Sequence, residues 1–217
     1  MIKIYLYLFL LLLMIFLGRR AWLLNSKESP YKIKLFNYII IIILILRYIS
    51  LGVLFAIQNL NYIYYIQPAL HTDLVTVPLI LVGCYYIFFR NEKFSFNYNF
   101  IVLALLTIFY IYTILSFKTV FKLNRHYLYV SRFSNEAYIY LAYAAIIVVI
   151  MSITIFTLGN PNSNSKGLFM ILITSIILIS ETFMYLLGIS LLDQRIFGEI
   201  FALLTLNYGL GTFKKVK

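Results

Sequence analysis

The sequence predicts an all-α bundle of transmembrane helices, and three observations carry that prediction. Of the 217 residues, 63% are hydrophobic; that is roughly 137 residues, about what seven spans of ~20 residues require. Charged residues make up 12%, about half the usual share for a soluble domain. The apolar residues fall into long runs separated by short polar stretches. An ordinary soluble fold and a disordered chain are both excluded. The reading is a polytopic bundle of about seven spans, with six as the alternative. Residues 1–217 form one integral membrane domain.

The first span runs from about Ile4 to Leu17, where Arg19 and Arg20 stop it. Gly18-Arg19-Arg20 is no small-x-small cleavage site, so the segment reads as an uncleaved anchor. Ser29-Pro30 breaks the basic loop that follows. Span two covers Leu35 to Ile57. The loop Gln58 to Thr72 lacks Lys and Arg and is rich in Tyr and Asn, as an interfacial aromatic belt is. Span three, Asp73 to Phe89, contains Pro78. Span four covers Asn99 to Phe117. The loop Lys118 to Glu136 is long enough for a short amphipathic segment on the membrane surface. Span five covers Ala137 to Leu158, the turn Gly159 to Gly167 is Asn/Ser-rich, and span six covers Leu168 to Leu187. Span seven, Arg195 to Phe213, is read as crossing the membrane or lying on it.

The net charge of +11 sits mainly in short loops and the C-terminus. Beside apolar spans this is a topology signal and an attraction to anionic lipid, not a nucleic-acid footprint. With the N-terminus outside and the C-terminus inside, the inner segments carry 11 Lys/Arg and the outer ones 6, with Arg47 left out as intramembrane. Arg19, Arg20, Lys214, Lys215 and Lys217 are the expected contacts to anionic headgroups. The Ile, Tyr, Phe, Asn and Lys bias suggests an AT-rich genome. The bacterial cytoplasmic membrane is the expected location, with an organellar inner membrane as the alternative.

Charge inside an apolar span is costly and needs a partner, so it marks candidate sites. Arg47 in span two and Glu181 in span six lie about 18 Å and 20 Å from the inner ends of their spans at ~1.5 Å per residue. Their similar depth predicts an ion pair, as a structural clasp or as a sensing or coupling site. His71, Thr72 and Asp73 open span three. Thr72 or Asp73 reads as a helix cap, or the cluster reads as a polar site facing outside, with His71 able to titrate near neutral pH. Glu199 is placed at the mouth of the bundle, and Asp193 reads as a cap or surface charge. Arg47, Glu181, His71, Asp73 and Glu199 are therefore the candidate binding residues.

No catalytic residue, metal site or cofactor is expected. One Cys and two His exclude a disulfide within the chain and make a His-ligated metal centre a poor fit. Cys84 lies thirteen residues from His71, or about 20 Å along one helix, too far for a catalytic dyad. His126 reads as interfacial. A haem held between His71 and His126 has the topology but no supporting motif. Nucleotide-loop, nucleophile-elbow and zinc-protease motifs are absent.

Three places carry a family resemblance. They are the basic Arg19-Arg20 after a short first span, the stretch Val77-Pro78 through Phe88-Phe89-Arg90, and Leu123-Asn124-Arg125-His126 ahead of Ala142-Tyr143, followed by Met184-Tyr185-Leu186-Leu187-Gly188. In this order of features the chain resembles the seven-helix sensor domain preceding the kinase module in some bacterial membrane histidine kinases. The 217 residues include no phosphoacceptor or ATP-binding module. The resemblance therefore implies a stand-alone sensor or a truncated relative that signals through a partner. A non-catalytic subunit of a larger membrane complex, such as a transporter permease or respiratory assembly, and a small stand-alone transporter are the alternatives. Partners are expected to be the bilayer and other membrane proteins or a second copy.

Overall fold

A computed structural model describes residues 2–56, 60–90, 95–124, 128–189, 192 and 194–213. The helices are α1 (Ile2–Glu28), α2 (Tyr31–Ala56), α3 (Leu60–Leu70), α4 (Asp73–Phe89), α5 (Asn97–Ser116), α6 (Glu136–Thr157), α7 (Ser165–Leu186) and α8 (Phe197–Thr212). Between α5 and α6 lies a hairpin of β1 (Thr119–Asn124) and β2 (Leu128–Phe133). Six stretches are long and apolar enough to cross a membrane: α1, α2, α3 with α4 (Tyr62–Phe89), α5, α6 and α7. The chain is an all-α, multi-pass membrane bundle. At 16 residues, α8 is about 24 Å long, short of a ~30 Å hydrocarbon core.

α1 runs past its expected end, through Arg19 and Arg20 to Glu28. The charges end the apolar run but not the helix, because Arg, Ala and Leu all favour helix. Both Arg side chains are exposed. The turn into α2 is tied by side chains. Asn25 Nδ2 donates to the Lys34 carbonyl at 2.9 Å, and Lys34 Nζ donates to the Ser26 carbonyl at 2.7 Å, satisfying an end-of-helix acceptor.

The stretch read as a Tyr/Asn-rich loop is largely helix, α3, stacked on α4 through the turn at His71–Thr72. Its Tyr62, Tyr64 and Tyr65 are exposed, as belt residues are. The loop read as an amphipathic surface segment is the antiparallel hairpin, with Thr119 opposite Phe133 and Phe121 opposite Ser131. Its β2 sequence, Leu-Tyr-Val-Ser-Arg-Phe, is rich in residues that favour strands.

α4 and α8 form the centre. α8 packs against α1, α7 and α4, while α4 also meets α2, α5, α6 and α7. Small and hydroxyl residues permit this closeness, as expected where lipid supplies no hydrophobic drive between helices. A Cβ on Gly198 would stand 2.2 Å from Leu178 Cδ2, and one on Gly167 2.4 Å from the Phe88 ring. Thr174 and Thr205 share a hydroxyl hydrogen bond of 2.9 Å between α7 and α8, and Asn207 Nδ2 donates to the Leu17 carbonyl of α1 at 3.1 Å.

Candidate functional site

The charged residues converge beside the N-terminus of α8. Arg47, in the C-terminal half of α2, faces the bundle interior and is 2% exposed. Its Nη2 lies 2.6 Å from Glu199 Oε1, and its Nε donates to the same carboxylate at 3.1 and 3.2 Å. This two-nitrogen grip suits a planar guanidinium against a carboxylate. The third guanidinium nitrogen, Nη1, stands 3.0 Å from Asp73 Oδ1. Asp73 Oδ2 in turn accepts from Arg195 Nη2. Two arginines and two carboxylates thus form one charge-balanced chain, Glu199–Arg47–Asp73–Arg195, joining α2, α4, α8 and the segment before α8. All four side chains are buried.

The network answers the desolvation problem of intramembrane charge by pairing each group. Aromatic rings complete it. The Arg195 guanidinium lies 3.9 Å from the centroid of the Tyr140 ring and 4.9 Å from that of Tyr143, both on the inner face of α6. A cation over an aromatic face gains further electrostatic stabilisation when desolvated. The Tyr48 hydroxyl, next to Arg47 in sequence, is buried without a hydrogen-bond partner among the described residues.

Glu181 has a different job from the one its depth suggested. Its carboxylate accepts from the backbone N–H groups of Phe197 at 2.9 Å and Gly198 at 2.7 Å. It therefore caps α8 from the neighbouring helix, where the free amides and the positive end of the helix dipole favour an anion. The expected Arg47–Glu181 ion pair is replaced by Arg47–Glu199 and Arg47–Asp73. Equal depth places two residues at one level and leaves open which way around the helix each one points.

The cap reading of Thr72 and Asp73 is also corrected. Neither side chain caps α4. The Thr72 hydroxyl donates back to the Ala69 carbonyl at 3.1 Å, and Asp73 is taken up by the two arginines. His71 is buried, with Nε2 2.8 Å from the Ser131 hydroxyl and its ring 4.2 Å from that of Phe133. It links the hairpin to the residue pair that leads into the network. Cys84 is buried in α4. Asp193, His126, Lys214, Lys215 and Lys217 lie outside the described residues.

A small polar cavity adjoins the network, lined by Arg47, His71, Asp73, Tyr140, Tyr185, Gln194 and Arg195. It has room for about one water molecule. Among the described residues no group of three His, Cys, Asp or Glu side chains is placed to hold a metal ion. The arrangement holds charge and hydrogen bonds in a closely packed space. Sequence reasoning placed Arg195 at a helix flank and missed its part in the network. The available signal was the Tyr140/Tyr143 pair, one helical turn apart on α6, which forms an aromatic wall suited to a cation. Comparison with protein-family models, curated proteins and solved structures finds no match.

Proposed function

We propose that this multi-pass membrane protein is a sensory or regulatory module that acts through a partner protein. The observation that carries the reading is the buried chain of ion pairs Glu199–Arg47–Asp73–Arg195. In a transporter the polar groups near the midplane, typically the ends of broken helices, face a substrate or coupling ion. Here the buried charges gather in one neutral knot. Arg47 is shared between two carboxylates and Asp73 between two guanidiniums, so an exchange of partners would shift α8 against α2. A packed element with two arrangements is what a switch requires. The resemblance to histidine-kinase sensor domains supports the same reading. The membrane is proposed to be the bacterial cytoplasmic membrane, with the exposed Arg19 and Arg20 near anionic headgroups on its inner side.

Hydrogen exchange in lipid nanodiscs tests the proposal, with Arg47→Gln and Glu199→Gln beside the wild type. A regulatory module gives faster exchange confined to α8 and the segment before it, with the bundle still folded and the affinity for a co-purifying partner changed. Exchange that rises uniformly over the whole bundle makes the network a static clasp and contradicts the proposal.

One observation favours a second reading, a non-catalytic subunit of a larger membrane complex. Only 17% of the apolar window of α5 is buried, and its contacts are chiefly with α4. Native mass spectrometry in mild detergent separates the two: a stable assembly of several different chains that shields α5 favours the subunit.

A further inference from the structure

The exposed side of α7 carries a groove of about 220 Å³. Ile176, Ile177 and Met184 form its apolar wall, and Leu192 from the following segment faces them. Its other end is polar. Tyr185, Gln194 and Arg195 line this groove and also line the small cavity against Arg47, His71 and Asp73. Those three residues are the wall shared by the two spaces, and Arg195 stands at the junction between the groove and the charge network.

The chemistry of that junction selects a ligand. The Arg195 charge is already met by Asp73, and Glu181, which also lines the groove, is committed to capping α8. An anionic head would compete with Asp73 and face Glu181; a cationic head would face Arg195. The Gln194 amide makes no hydrogen bond among the described residues, and it offers both donor and acceptor. We infer that the α7 groove binds an uncharged single-chain amphiphile, its alkyl chain along α7 and its hydrogen-bonding head against Gln194 and Arg195. This rests on the regulatory reading, for which it supplies the ligand class.

Cys84 is the single Cys and is fully buried, so a thiol-reactive fluorogenic dye reports unfolding of the full chain in nanodiscs. The probes are 1-monooctanoylglycerol, octanoate and octylamine at matched concentrations. Monooctanoylglycerol is expected to raise the melting midpoint saturably. Ser180→Trp, at an exposed groove position, and Gln194→Leu each weaken half-saturation by about tenfold or more. Thr107→Trp, in the separate groove between α2 and α5, leaves it unchanged. Equal responses to all three amphiphiles, or a response that survives Ser180→Trp, assign the effect to partition into the bilayer and overturn the site. Saturable binding without any change in α8 hydrogen exchange keeps the site and removes the regulatory reading. No binding, with network variants still altering partner affinity, removes the site and keeps that reading.

Discussion

The 28-residue stretch of α3 with α4 and the 20-residue α5 are neighbours of nearly equal mean hydropathy, yet they occupy opposite environments. In the stretch Tyr62–Phe89, 83% of the apolar window is buried; in α5 the figure is 17%. Apolarity therefore does not decide which helix becomes central in a membrane protein, because lipid is as good a neighbour for Leu or Ile as another helix is. The difference lies in the few polar and small residues. His71, Thr72, Asp73 and Thr76 are all buried near the start of α4, and Gly83 lets the Phe36 ring approach to 3.0 Å of a Cβ position. α5 has no charge and turns Ile101, Leu105, Ile108, Tyr112 and Leu115 outward. Polar groups that lipid cannot satisfy must find protein, and they pull their helix inward.

The largest way to break this contrast is Asp73→Ala, which leaves two buried guanidiniums short of a partner. Loss of about 3–5 kcal/mol is expected, read as a lowered unfolding midpoint in mild detergent; a midpoint within error of wild type would show that Asp73 does not anchor α4. Next comes the close contact of α7 with α4. Gly167→Ala places a methyl inside the Phe88 ring position, so a cost of about 1–3 kcal/mol is expected from repacking. Thermal unfolding checks it, and stabilisation would contradict the packing. Glu181→Ala removes the cap on α8 and is expected to cost about 0.5–2 kcal/mol, with faster amide exchange confined to the first turn of α8. Exchange spreading into α2 would instead indicate a Glu181 contact to Arg47. The smallest effect belongs to α5. Leu115→Ala, at an 81% exposed position, is expected to change stability by less than about 0.5 kcal/mol; a larger loss would mean that protein covers that face.

The sequence made the membrane class and most span positions legible, because a run of ~20 apolar residues admits few other structures. It also pointed to Arg47, Asp73 and Glu199, since a charge in such a run is conspicuous. It did not show how they pair. Depth along a helix follows from counting residues, whereas the direction a side chain faces depends on how the helices are rotated and packed. That is why Glu181, at the same level as Arg47, was taken for its partner while Glu199 holds that place. Arg195 escaped because the first residue of a span reads as interfacial, and only the fold of its segment against α4 and α6 buries it. The hairpin escaped for a related reason. Six-residue strands leave a weak pattern, and their pairing is fixed by contacts such as Ser131 with His71, which lie 60 residues apart.

Arg47 ties α2 to α8 through Glu199 rather than Glu181. Two double-mutant cycles in mild detergent test it most directly, Arg47→Met with Glu199→Leu and Arg47→Met with Glu181→Leu, each read by the unfolding midpoint of Cys84 exposure. A coupling of about 1–3 kcal/mol is predicted for the first pair, with additive losses within ~0.5 kcal/mol for the second. Strong coupling between Arg47 and Glu181, with none between Arg47 and Glu199, would contradict the network.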